Sequence, residues 1–218
     1  MGGRGATYSY NGDRGRGDAM PVSPYAIGSL NKGTNKGTNI EQAKNRFRSQ
    51  MLNQKIEYSA YYDSDGYIHS LGSSGQKGTT AVESFSTVAK EKRITGVIHN
   101  HPYQEWAGGG ATFSKADIKY LKSSYDQTNG RIREIVATAK EGIYTARISR
   151  KKVPTDRQIS RALSNADKKS TGSYSSKKKM RETIHNDLAN ELGKIGIEVT
   201  FTSNSANSDK LITQKLKK

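Results

Sequence analysis

The 218-residue chain has no cysteine. That excludes disulfides, cysteine-ligated zinc, iron–sulfur clusters and a thiol nucleophile. It is also poor in apolar side chains, at 32%. A globular chain reaches roughly 45–50% with glycine counted, and adding the 22 glycines here raises the total only to about 42%. One part of the chain should therefore build a core and another should not. No apolar run approaches the ~20 residues of a membrane span. The opening Met1-Gly2-Gly3-Arg4-Gly5 lacks the apolar stretch of a secretory signal, so the expected location is cytoplasmic.

What the chain has in excess is positive charge. Its 36 Lys and Arg against 20 Asp and Glu give +16. An acidic partner such as nucleic acid or an acidic protein fits that excess, and so does plain solubility. Residues 151–218 hold 15 basic and 7 acidic side chains, whereas residues 51–150 hold 13 and 10. The excess thus belongs mainly to the flanks.

Residues 1–38 are rich in Gly, Asn, Ser and Arg and repeat Asn-Lys-Gly-Thr at 31–34 and 35–38. Such a stretch predicts a largely disordered arm, because it buries too little to offset its ordering entropy. From Asn39 the pattern changes. Asn39 reads as the cap of a helix with Ile40, Ala43, Phe47 and Met51 at helical spacing. Residues 56–62 and 67–71 read as a hairpin about the turn Asp63-Ser64-Asp65-Gly66. A short helix over 82–92, a buried strand over 94–99, a helix opened by Ser114 and strands over 134–139 and 143–149 follow. The order predicts an α/β (α+β) domain over 39–150, a mixed sheet flanked by helices. Beyond it, 151–218 reads as a basic helical extension. It comprises a polar helix over 153–169, a helix over 180–194 striped with Met180, Ile184, Leu188 and Leu192, and one strand over 197–201.

The chemistry is concentrated in Gly96-Val97-Ile98-His99-Asn100-His101-Pro102 and Phe113-Ser114-Lys115-Ala116-Asp117-Ile118. Residues two apart on a strand point to the same side, so His99 and His101 can face one point. Asp117 would lie in the first turn of a helix, where the macrodipole favours an ionised carboxylate. Two His and one Asp supply three metal ligands and leave a fourth position open, the pattern of a catalytic zinc site. Such a site needs a general base. Glu57, on an early strand, is one choice, and spacing alone does not remove Glu83, Glu91 or Glu105. Each piece alone has a plainer meaning. His-x-His is commonly structural, Ser-x-x-Asp is a helix capping pair, and Glu57 alone is a solvent-facing strand residue.

In combination, a glutamate, then His-x-His-Pro, then Ser-x-x-Asp resembles the JAB/MPN (JAMM) zinc metallopeptidases over roughly residues 54–150. The His-Asn-His-Pro wording is most similar to the prokaryotic RadC-like branch, which implies a bacterial or phage source. The resemblance implies a cytidine-deaminase-like JAMM fold and hydrolysis of a peptide or isopeptide bond. It implies Zn2+ held by His99, His101 and Asp117, with Glu57 as general acid/base and Ser114 stabilising the oxyanion. Glu57 is chosen here because Glu57-x5-Asp63-x2-Gly66 resembles the opening hairpin of bacterial members.

Twelve residues separate His101 from Ser114, more than the family usually places there. The excess, Gln104–Gly110, contains the single Trp, Trp106, and three consecutive Gly. It reads either as a lid with Trp106 as its anchor or as a tolerated insertion with Trp106 packed on the domain. A second function stands beside the enzyme. It is a RadC-like non-catalytic module that binds nucleic acid or an acidic protein through its basic flanks, the C-terminal region above all.

Overall fold

The structure is a computed structural model that describes residues 20–21, 30–31, 40–73, 93–102 and 112–203. The sheet is built from β1 (Met20–Pro21), β2 (Ser59–Asp63), β3 (Ile68–Ser73), β4 (Ile94–Asn100), β5 (Glu134–Thr138), β6 (Gly142–Ile148) and β7 (Ile197–Ser203). The described helices are α1 (Ile40–Met51), α2 (Lys115–Gln127), α3 (Asp156–Lys169) and α4 (Lys177–Lys194). Among the described residues, no helix is long and apolar enough to cross a membrane.

The chain is a mixed α/β protein. The strands lie in the order β1-β3-β2-β4-β5-β6-β7, with β4 and β5 parallel and every other pair antiparallel. The α2 crossover between β4 and β5 makes their parallel pairing possible. Successive side chains on a strand point to opposite faces, and the two cores record that alternation. Tyr61, Val97, Ile135, Tyr144 and Ala146 join α2, α3 and α4 on one face. Ala60, Tyr62, Ile98, Val136 and Ile143 join Ala43, Phe47 and Met51 of α1 on the other.

Two boundaries differ from the sequence reading in ways that matter. The strand expected over 56–62 begins only at Ser59. Residues 56–58 are held instead by the side chain of Asn100, which accepts from Tyr58 N at 2.6 Å and donates to Ile56 O at 3.1 Å. The extension past residue 150 is also no appendage through Ser203. Strand β7 pairs with β6 along its whole length, and Ile159, Leu163, Leu188, Leu192 and Val199 enter the first core. The α4 stripe is a packing stripe only in its second half, for Leu188 and Leu192 are buried while Met180 and Ile184 are half-exposed.

The described pieces of the arm over 1–38 make specific contacts. Met20 and Pro21 pair with Ser73 and Gly72, and Leu30 is fully buried. Asn31 exchanges hydrogen bonds with the Ile68 backbone, at 2.7 and 2.9 Å. One buried leucine and one amide that pairs with a strand order these residues. The expected Asn39 cap, the helix over 82–92, the loop over 103–111 with Glu105 and Trp106, Glu83, Glu91 and the tail from 204 lie outside the described residues.

A buried ion cluster ties α1 to the sheet. Glu134 is met by Lys44 at 2.9 Å and by Arg147, and it accepts from the Tyr62 hydroxyl. Burial pushes the Glu134 carboxyl up, but the two cations and the phenol hold it below its ordinary value. Tyr62 can reach Glu134 only because its neighbour across β4 is Gly96. A Cβ at Gly96 would overlap the Tyr62 ring. Gly96→Ala should therefore destabilise the chain by about 1–3 kcal/mol, the usual cost of overpacking. Denaturant melts that leave the midpoint unchanged would refute this account of the glycine.

Candidate metal centre

Strand β4 is paired on both sides, so its end is fixed in three dimensions. Val97 faces the α2 side, and His99, two residues on, shares that side. The pairing with β5 continues past the strand, because His101 N donates to Thr138 O at 2.8 Å and Thr138 Oγ1 donates to His99 O at 3.3 Å. These bonds hold His101 on the same side as His99, with ring centroids 4.8 Å apart.

The third side chain comes from the start of α2. Ser114 is the N-cap, its Oγ accepting from Asp117 N at 3.1 Å while Asp117 Oδ2 accepts from Ser114 N at 2.7 Å. This reciprocal box fixes the Asp117 carboxylate on the first turn of α2. Its Oδ1 lies 3.4 Å from His99 Nε2, and its Oδ2 lies 3.9 Å from His101 Nε2. The two Nε2 atoms are 2.9 Å apart.

These distances suit a small cation. Bonds of about 2.0–2.1 Å in a tetrahedron put ligand atoms about 3.3 Å from one another; the two Nε2 atoms at 2.9 Å and the His99 Nε2 to Asp117 Oδ1 pair at 3.4 Å lie near that value, and one ligand atom from each of the three residues lies within 4.8 Å of the others. His99, His101 and Asp117 are the group of His, Cys, Asp and Glu side chains, among the described residues, that can hold a metal ion. The protonation state suits it too. Burial, and then the neighbouring His101, push the His99 imidazole well below its ordinary value, against an opposing backbone bond at Val136. His99 is thus the neutral imidazole that metals bind. His99 and Asp117 are fully enclosed, whereas His101 keeps 9% exposure and borders a shallow crevice lined by Arg48, Met51 and Leu52.

Glu57 stands beside this group. It is 3% exposed, and its Oε2 is buried with no hydrogen-bond partner among the described residues. Burial, and then the charge of Asp117, push its carboxyl up to about 8. A buried carboxylate oxygen aimed at nothing is costly unless a cation or a water meets it. The structure thus brings together Glu57, His99, His101, Asp117 and Ser114, while Glu83, Glu91 and Glu105 lie outside the described residues.

Two residues missed by sequence reasoning support the site. Asn100, the middle of His-Asn-His, pins residues 56–58 and with them Glu57. His185 of α4 is fully buried, and its Nδ1 is 3.1 Å from the hydroxyl of Thr112, two residues before Ser114. Alternation places Asn100 opposite the two histidines, which was a readable hint; nothing in the sequence links residue 185 to residue 112.

Two measurements follow from this geometry. Asn100→Ala removes both side-chain bonds to the 56–58 segment and should cost roughly 1–3 kcal/mol in chemical denaturation; an unchanged midpoint would contradict the pinning. Glu57 keeps its proton up to about 8 in the folded chain, against an ordinary value of 4.5. The metal-free protein should therefore lose stability steadily as pH rises from about 4.5 to about 8, the window between the unfolded and folded values. Glu57→Gln should remove that part of the loss, melting higher than the parent at pH 8 and close to it near pH 4. Parallel pH profiles for the two chains in chelator would count against the buried carboxyl.

Comparison with family models, curated proteins and solved structures finds no match for this chain, so the chemistry of these side chains carries the functional reading.

Proposed function

We propose that the chain is a JAMM-type metallopeptidase that hydrolyses a peptide or isopeptide bond with zinc held by His99, His101 and Asp117. The observation that carries this reading is the convergence of two buried imidazoles and one carboxylate with Glu57 adjacent to them. The donor set is nitrogen and oxygen with no sulfur, which suits zinc in a site with an open position. When bound, the ion supplies Lewis acidity and a more acidic water.

The chain's own residues do the rest. Glu57 accepts the proton of the attacking water and returns it to the leaving amine. Its raised affinity for protons suits proton return, and a cation beside it would favour the carboxylate needed for proton removal. Ser114 donates its hydroxyl hydrogen to the developing oxyanion. A serine oxygen can accept from Asp117 N in the cap and donate at the same time, so the two roles are compatible. His101 keeps 9% exposure while His99 and Asp117 are enclosed, so a substrate would reach the centre past His101.

Zinc titration of the chelated chain by calorimetry, with turnover of a quenched-fluorescence peptide library, tests this reading. About one zinc per chain is expected. His101→Ala should lose both zinc and turnover. Glu57→Gln should keep zinc while turnover falls about 10²–10⁴-fold, the usual share of general acid–base catalysis. A folded parent chain that takes up no divalent metal would sink the proposal.

A further inference from the structure

The opposite end of the same strands collects positive charge. Strand β4 begins just after Arg93 and runs toward His99. Strand β5 lies parallel to it and begins just after Arg131 and Arg133, while β6 runs back and ends before Arg150, Lys151 and Lys152. Backbone bonds fix these ends together, for Arg133 N donates to Thr95 O at 3.4 Å and Ile148 N donates to Arg133 O at 2.9 Å. Six basic residues drawn from three segments of the chain thus meet at one sheet end. Six strand steps of about 3.3 Å put that end roughly 20 Å from His99.

Arg93, Arg131, Arg150, Lys151 and Lys152 are exposed, and Arg133 is half-buried. The Arg133 guanidinium is pushed below its ordinary value by burial and then by the positive charges of Arg150 and Arg147. Several acidic groups near this end have cationic or backbone partners of their own. Glu134 is buried and already matched by Lys44 and Arg147. Glu198 lies across from Arg147 in β7. Asp63 is held by His69 at 2.8 Å, and Asp65 sits in the hairpin turn that bounds the surface on the β2 side.

The class of partner follows from what this surface lacks. Protein interfaces are anchored on buried aromatic and apolar side chains. Among the described residues, the large exposed apolar side chain is Val153, at 42%; it follows Lys152 at the border of this surface and is a single side chain, not a patch. Strands β4, β5 and β6 are spaced about 4.8 Å apart, so their ends form a basic row about 10–15 Å long. A nucleic acid strand advances 3.4 Å per phosphate, so the row faces about three to four phosphates.

We propose that this end of the sheet binds nucleic acid by gripping the phosphate backbone without reading sequence. The surface belongs to the folded domain, not to the terminal flanks, and it is separate from the metal centre. A bound strand would be held on one side of the molecule while the site on the other stays open.

Fluorescence anisotropy of a labelled mixed-sequence DNA duplex of about 20 base pairs, titrated with the full chain in chelator, tests this. Affinity should fall steeply with salt. The variant R131E/R150E/K151E should bind at least about tenfold more weakly at roughly 100 mM salt, with the slope of log K against log salt smaller by about 3. Its neutral counterpart R131Q/R150Q/K151Q should lie between, and both should keep the parent's circular dichroism and melting behaviour. The variant K215E/K217E/K218E makes the same change in net charge elsewhere in the sequence and should weaken binding less than about threefold. Absence of salt-dependent binding, or an equal loss from K215E/K217E/K218E, would overturn the proposal. So would competition by poly-glutamate as strong as that by unlabelled duplex, which would assign the surface to acidic proteins.

Discussion

Everything in this structure turns on how β4 is held. The strand is paired on both sides and buried on both faces, yet it must end in three consecutive polar residues, His99, Asn100 and His101. Polar groups so enclosed are tolerable only when each has a partner. Asn100 finds its partners in the backbone of residues 56–58, and the two imidazoles turn together toward Asp117. One requirement, satisfying the end of a buried strand, therefore positions Glu57, the two histidines and the helix that carries Asp117.

Much of this was legible in one dimension. The alternation along Val97, Ile98 and His99 named the two faces of the sheet, and Ser114 with Asp117 marked the start of α2. The capping reading of that pair is borne out, and the second carboxylate oxygen leaves Asp117 within a group that could also hold a metal ion. What could not be read depends on contacts distant in the chain. Glu57 lies before its strand because an asparagine 43 residues later replaces the expected ladder there. Thr112 is met by His185. Composition alone treated residues 1–38 as structureless, because composition averages over single residues such as Leu30 that find a place in the core. Likewise the strand expected over 197–201 is present, but as β7, the edge strand of the main sheet and not part of a separate extension.

Charge is distributed with the same logic. Glu134, deep in the sheet, is surrounded by Lys44, Arg147 and Tyr62, so α1 and β6 are fastened to β5 through a single carboxylate. Its neighbours in the sequence differ in place, for Arg131 is exposed and Arg133 is half-buried with its guanidinium donating to Ile148 O at 3.0 Å. The two ends of the parallel pair β4 and β5 thus differ in kind, one enclosed and suited to a small cation, the other open and positive.

The reciprocal box between Ser114 and Asp117 divides the labour of one carboxylate. Oδ2 fastens the helix to its own first turn, while Oδ1 leans toward His99. The aspartate is therefore anchored by backbone bonds of its own helix, whatever its other oxygen meets. A change of partner at Oδ1 leaves the first turn of α2 fastened.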